Sequence, residues 1–437
     1  MNRRSFLTLA GYMPLIGVVR LLGSSASLFY NKSVRQKMKI DPNYIMDIHP
    51  SLTYKLLSKE GVKMTDGFIV PGLADGMGSF LVNGHTVLIR NHELNTRHSF
   101  RKSAFENPEN QINQLGSKHY DKNSIGGTTS IVIDNESQSV IREYLSLSGT
   151  QKNCAGGVTP WGTWLSCEES INKKVRYNTP HGYVFEVDPQ ITTLDEPVPL
   201  KDMGRFNHEA VAFDTFGNAY LTEDRSDGLI YKFVPKKMNS LNAGDLYALR
   251  IKNKSNIDYR NWSKSKIIKN KKYEIEWIKI DDKDPKDDTM RFEGMNKGAT
   301  AFARGEGITA SGNSLFICCT NGGFIKRGQI WKITTLSPEE SVIELWYEVQ
   351  DKKSLNMPDN LTIAPWGDLI ICEDNSEKNR LWGINTKGIP YLIAENNYTG
   401  SEFAGVCFSP VDSTMFVNLQ SNGMTISIDG NWGDVTI

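Results

Sequence analysis

The chain has 437 residues, with 50 Lys and Arg set against 50 Asp and Glu, so its formal net charge is zero. A composition of 39% hydrophobic and 23% charged residues excludes a disordered or fibrous chain, and the lack of a basic excess excludes a general binder of nucleic acid or acidic membranes. The six cysteines, at 154, 167, 318, 319, 372 and 407, are too scattered for a disulfide scaffold or a paired-cysteine zinc site, and most are expected as small buried hydrophobes.

The chain opens with Asn2, Arg3, Arg4, Ser5, Phe6, Leu7 and Thr8, the pattern of a twin-arginine export signal, followed by an apolar run to Leu22 that Arg20 interrupts. Residues 1–40 are therefore expected to be a signal and linker. The twin-arginine translocase is then a partner during export, and the mature protein is expected to be periplasmic or secreted. No later segment reaches the ~20 apolar residues of a membrane span. Residues 41–437 are expected to form a single domain, as a monomer.

Past residue 45, short apolar runs alternate with Gly, Asn, Asp and Pro turns, the pattern of strands and turns. One unit recurs: a polar opening residue, a small residue, an apolar strand, a tight turn and a second strand. Its copies are Cys154–Glu168, Glu209–Glu223, Glu306–Thr320 and Asp359–Glu373, each with a separation of 14 from first to last residue. Two looser copies, Asp75–Asn91 and Ala404–Gln420, span 16. Third strands are predicted at Gly182–Val187, Gly228–Phe233, Gln329–Ile333 and Arg380–Ile384, and fourth strands at Trp277–Ile280 and Ile343–Glu348. Six such units predict an all-β fold, a six-bladed β-propeller with insertions between blades. The Lys- and Asn-rich stretch Lys236–Lys272 is expected to be a solvated excursion between the third and fourth blades.

Equivalent positions of successive repeats face one another around a propeller axis. The opening residues Cys154, Glu209, Glu306 and Asp359 would thus meet at the channel. The closing residues Glu168, Glu223, Thr320 and Glu373 would join them, extended by Glu169, Asp224 and Asp374. Converging carboxylates cannot all ionise without a neutralising cation. Their hard oxygens suit Ca2+, whereas the Cys154 thiolate points to a transition metal, with iron or zinc the usual candidates.

Long motifs then narrow the reading. Cys154–Glu169, Arg205–Glu209, Arg291–Met295, Pro358–Asp368, Arg90–Glu93 and Gly126–Thr129 resemble the PhoX-type alkaline phosphatases, from about residue 65 to the end of the chain. The resemblance implies a twin-arginine-exported propeller that hydrolyses small phosphate esters at a mixed Fe(III) and Ca2+ cofactor. It implies Cys154 as the iron thiolate ligand, with Glu209, Glu306 and Asp359 completing the cluster. Glu168, Glu223, Asp224 and Glu373 are implied as further ligands, with calcium the metal expected for them. Arg304 is implied as the clamp on the substrate phosphate and Asn91 as a hydrogen-bonding partner beside it. His92 and His208 border the cluster as candidate proton donors. The alternatives are a calcium-dependent lactonase or esterase propeller, whose ligand set has no cysteine, and a non-catalytic exported propeller pinned by calcium.

Overall fold

The computed structural model describes residues 38–98, 102–171, 179–252, 257–263, 267–351 and 353–436. The expected export signal at Asn2–Thr8 lies outside the described residues. Among those residues no helix is long and apolar enough to cross a membrane.

Strands β1 (Asp47–Ile48) and β2 (Leu52–Lys59) precede the repeats. The first repeat folds as β3 (Ala74–Val82), β4 (His85–His92), β5 (Gly126–Asp134) and β6 (Ser139–Thr150). The second is β7 (Asn153–Val158), β8 (Trp164–Glu168) and β9 (Val184–Val187). The third is β10 (His208–Phe213), β11 (Ala219–Glu223), β12 (Ile230–Lys237), β13 (Ser240–Ile251) and β14 (Lys272–Lys279). The fourth is β15 (Gly305–Ser311), β16 (Ser314–Cys319), β17 (Gln329–Thr335) and β18 (Ser341–Glu348). The fifth is β19 (Pro358–Ile363), β20 (Leu369–Glu373), β21 (Asn379–Ile384) and β22 (Pro390–Asn396). The sixth is β23 (Phe403–Phe408), β24 (Met415–Leu419) and β25 (Met424–Gly430).

These strands do not form the six separate blades the repeats predict. Four antiparallel sheets stand as blades: β3–β6, β7–β9, β19–β22 with β1 added, and β23–β25 with β2 added. The third and fourth repeats instead merge into one nine-stranded sheet whose end strands, β10 and β15, pack side by side, so that the sheet nearly closes on itself. The cause is an edge. β14 spends its second half on β13, and its first three residues pair with β18 through Lys272–Glu344, Tyr273–Ile343 and Glu274–Val342. An outer edge that would otherwise be left open is thereby covered.

The same region corrects a second expectation. Within Lys236–Lys272, Ser240–Ile251 is ordered sheet in β13, and Tyr259 and Ile267 are buried in the core with Trp331 and Ile343. Burying each such side chain is worth about 1.5–3 kcal/mol, which anchors the described parts of the stretch despite its lysines.

The first strands β3, β7, β10, β15, β19 and β23 pack in chain order around a central channel, and β23 returns to β3. Pairing with the second strand slips at nearly the same place in every repeat: after Ala74, Asn153, His208, Gly305, Pro358 and Ala404. Each slip is a β-bulge, which bends the strand and re-aims a side chain. A glycine follows three of the six opening positions, at Gly76, Gly307 and Gly405, because neighbouring backbones touch there. A Cβ on Gly76 would lie 2.6 Å from Ala155 Cα, and one on Gly307 2.6 Å from the Asp359 carbonyl oxygen. Beyond the bulges the channel is uncharged, a cavity of about 470 Å3 whose lining mixes apolar residues such as Val211, Ile308, Leu361 and Val406 with polar ones such as Ser79, Thr309 and Asn360.

Candidate metal centre

The bulges place two rings of polar side chains at one end of the channel. The first holds the opening residues Asp75, Cys154, Glu209, Glu306 and Asp359, with Ala404 in the sixth place. The second follows the end of each second strand: Glu93, Glu169, Asp224, Thr320, Asp374 and Gln420. Ligand atoms of Glu209, Glu306 and Asp359 lie within 4.8 Å of one another, as do those of Asp359, Asp374 and Glu402, and those of Glu93, Cys154 and Glu169. The Cys154 Sγ is 3.2 Å from Glu209 Oε1 and 3.8 Å from Asp75 Oδ2.

The cations set among these acids are Lys152 and Arg304. Arg304 donates from Nε and Nη2 to Asp224 at 2.9 and 3.2 Å, and its Nη2 also contacts Glu306. Burial and then mutual repulsion push Asp75, Glu209, Glu306 and Glu402 well above the usual carboxylate range, and Asp359 up to about 7. Burial beside Asp75 and Glu209 raises the Cys154 thiol in the same way. Glu209 Oε2 is buried with no hydrogen-bond partner among the described residues. Oxygen donors this close, one thiol, and a buried carboxylate oxygen left unpaired fit bound metal cations, which reverse the local charge balance.

Of the expected ligands, the structure brings together Cys154, Glu209, Asp224, Glu306 and Asp359. Glu168, Glu223 and Glu373 do not reach the channel. Successive side chains on a strand point to opposite faces, and these three end their strands one residue before the ring residues Glu169, Asp224 and Asp374. Each is held locally, although Glu223 Oε1 has no hydrogen bond among the described residues and faces Arg291 Nη1 at 3.6 Å. Glu168 accepts from the backbone N–H of Gln151 at 2.8 Å and of Gly182 at 2.8 Å, and pairs with His181 Nδ1 at 2.6 Å. Glu223 accepts from the Leu229 N–H and the Tyr231 hydroxyl, both at 3.1 Å. Glu373 accepts from the Asn356 N–H at 2.7 Å and the Trp382 indole at 2.8 Å.

A pair of substitutions separates the two classes. Glu168→Gln is expected to cost about 3 kcal/mol, because it breaks a buried ion pair, and to leave bound metal unchanged. Asp359→Asn is expected to lower metal content with little loss of stability. Denaturant unfolding and elemental analysis of both proteins check this, and loss of metal from Glu168→Gln would restore that residue to the site.

Asn91 is buried and its amide is committed to the scaffold. Nδ2 donates to the carbonyls of Cys154 at 2.9 Å and Ala155 at 2.7 Å, and Oδ1 accepts from the Trp164 indole and the Ser166 hydroxyl, both at 2.9 Å. It positions the Cys154 bulge. The two histidines also lie on the wrong strand face. His92 is bracketed by the Gly72 carbonyl at 2.9 Å and Thr129 Oγ1 at 2.8 Å. His208 bonds the Gly204 carbonyl at 2.9 Å and stacks on Phe206, and burial brings its pKa down to about 3. Neither histidine stands in the channel as a proton donor.

Several ring members escaped the sequence reading. Asp75 and Glu93 lie within segments it singled out, but in the looser repeat. Glu402 stands two residues before Ala404, on the same side of an extended chain, so the sixth repeat carries its acid displaced by two positions. Lys152 and Gln420 carry no acidic signal at all.

The sequence matches the family model described as alkaline phosphatase PhoX over residues 35–423. No curated protein sequence matches the chain. Among solved structures, Pseudomonas fluorescens PhoX in complex with vanadate, a transition state analogue, superposes with a TM-score of 0.67 at 18% identity, covering 89% of this chain and 97% of that one. A gluconolactonase from Xanthomonas campestris aligns with a TM-score of 0.45 at 8% identity, covering 88% and 98%.

Proposed function

The chain belongs to the alkaline phosphatase PhoX family, and from that premise we propose that it hydrolyses small phosphate esters at a mixed iron–calcium centre in the acidic end of its channel. One observation carries the reading: the ligand atoms of Glu209, Glu306 and Asp359 converge within 4.8 Å, and Arg304 is fixed against Glu306 beside them. Cys154, with Glu209 and Asp75, would hold iron, the metal that accounts for a thiol in an otherwise oxygen-donor set. Glu306, Asp359, Asp374 and Glu402 would hold calcium, which takes 6–8 oxygen ligands. When bound, these metals supply Lewis acidity toward the phosphoryl group and activate water for attack.

The chain's own residues do the rest. Phosphoryl transfer is largely a matter of positioning and charge stabilisation. Arg304 has its Nε and Nη2 engaged by Asp224 and Glu306, which leaves the Nη1 donors for a phosphoryl oxygen in a fixed plane. Asn91 ties the carbonyls of Cys154 and Ala155 to the first blade, so the thiol stays aimed at Glu209. The cavity behind the bulges is lined by uncharged residues and offers no counter-charge, so a phosphate ester would be held at the mouth, by Arg304 and the bound cations. The twin-arginine pattern at Arg3 and Arg4 favours action outside the cytoplasm.

Chelation gives the direct test. The purified protein is expected to contain iron and calcium and to hydrolyse p-nitrophenyl phosphate. Prolonged EDTA treatment is expected to abolish turnover and lower Tm, since a ligand bound only to the folded state stabilises it. Full activity after complete demetallation would sink the reading, and calcium without iron would favour a lactonase-like centre.

A further inference from the structure

The three clusters of metal-competent side chains are not equivalent. In the corner formed by Glu93 and Glu169, nitrogen donors already meet every carboxylate oxygen. The Lys152 ammonium lies 3.0 Å from Glu93 Oε1 and closer still to Glu169 Oε2. The outer oxygens are taken by amides: Gln420 Nε2 donates to Glu93 Oε2 at 2.9 Å, and Asn207 Nδ2 donates to Glu169 Oε1 at 3.0 Å. The other clusters are only partly met: Arg304 reaches Glu306 from one side, but Glu306 also bonds Asp359 and Asp374 bonds Glu402, acid against acid, while Glu209 Oε2 has no partner among the described residues.

Lys152 is also held in place by its backbone. Its φ is +49°, a left-handed conformation that costs energy for a residue with a Cβ and persists where the surroundings dictate it. The surroundings do so from both sides. The Lys152 N–H donates to the Leu94 carbonyl at 2.8 Å, and the Glu169 N–H donates to the Lys152 carbonyl at 2.9 Å. The lysine backbone is therefore tied to the residue after Glu93 and to Glu169 itself, and its ammonium lies between the two acids.

We propose that the Lys152 ammonium is a built-in cation that fills the Glu93–Glu169 corner of the channel, in the place a divalent ion would otherwise take. An ammonium is a compact point charge with three donors. Set between two carboxylates, it supplies the neutralisation that a calcium ion supplies elsewhere in the ring and occupies the volume that ion needs. Cys154, which borders this corner, is then left to face Glu209 and Asp75. The inference rests on the metal-centre reading above and adds that the centre is one ion smaller on this side.

The test compares Lys152→Met, which keeps the stem and loses the charge, with Lys152→Arg, which keeps the charge. Each is titrated with Ca2+ by calorimetry and its metal is counted by elemental analysis. Lys152→Met is expected to bind about one more divalent cation per chain than the wild type, the oxygens freed forming a site of the kind calcium takes. Lys152→Arg is expected to match the wild type, and adding Glu93→Gln to Lys152→Met is expected to remove the gain. Equal counts in the wild type and Lys152→Met would overturn the proposal. If Lys152→Met accumulates poorly, calcium in the growth medium is expected to rescue its yield and raise its Tm, and failure of that rescue would equally overturn it. A wild-type protein devoid of metal would instead count against the metal centre as a whole.

Discussion

Replacing Arg304 by alanine is expected to lower kcat/KM for p-nitrophenyl phosphate about a thousandfold, a loss of about 4 kcal/mol in transition-state stabilisation. The size of the effect follows from how firmly the guanidinium is held. The Arg304 backbone has a φ of +50°, its N–H donates to the Arg225 carbonyl at 2.9 Å, and its carbonyl accepts from the Thr320 N–H at 3.1 Å. Asp224 and Glu306 then fix the plane of the side chain. A group set this rigidly loses little freedom when phosphate arrives, so most of its interaction is available to the transition state. Arg304→Lys retains the charge without the planar fork and is expected to recover only a small part of the loss. Metal content should be unchanged in both proteins, because Asp224 and Glu306 remain. An unaltered kcat/KM in Arg304→Ala would remove this residue from the site.

Cys154→Ala is expected to lose iron together with at least a hundredfold of activity, while calcium and the fold persist. The sulfur touches Glu209 Oε1 and Asp75 Oδ2 and is the one soft donor among the ring residues. Its removal leaves an all-oxygen set that holds a transition metal poorly. The backbone of the bulge is secured independently by Asn91, so the strand should not move. Absorption spectroscopy and elemental analysis read the iron, and circular dichroism reads the fold. A Cys154→Ala protein with full iron content would show that another group binds that metal.

The hairpins were legible because each repeat spaces its two strands alike, and the turn residues between them are plain in sequence. The opening residues were legible for the same reason, and Cys154, Glu209, Glu306 and Asp359 do face the channel. The closing positions were legible only to within one residue, since Glu168, Glu223 and Glu373 were expected at the channel together with Glu169, Asp224 and Asp374. A bulge inserts an extra residue into one strand, and a one-residue slip carries a side chain to the other face. Glu168, Glu223 and Glu373 therefore went into the sheet interior, while Glu169, Asp224 and Asp374 took the places beside the opening residues. The fusion of two repeats was hidden because apolar periodicity reports which face of β14 is buried and not which edge is paired. Lys152 was hidden because its role depends on Glu93 and Glu169, which lie 59 and 17 residues away in the chain.

The way the ring is sealed sets an order of events for the nascent chain. β2, near the start of the described chain, completes the last sheet by pairing with β25, Leu52 opposite Gly430 and Lys59 opposite Met424, while β1 pairs with β22. Contacts between residues so far apart in sequence form late, because the loop between them must close first. Asp75 lies beside Gln420, 345 residues later in the chain, 2.8 Å from Oδ2 to Nε2, so this side of the acidic mouth is complete only once the sixth repeat meets the first. On the proposed metal centre, loading would then follow closure of the ring, and export with the cofactor in place would be export of a folded protein.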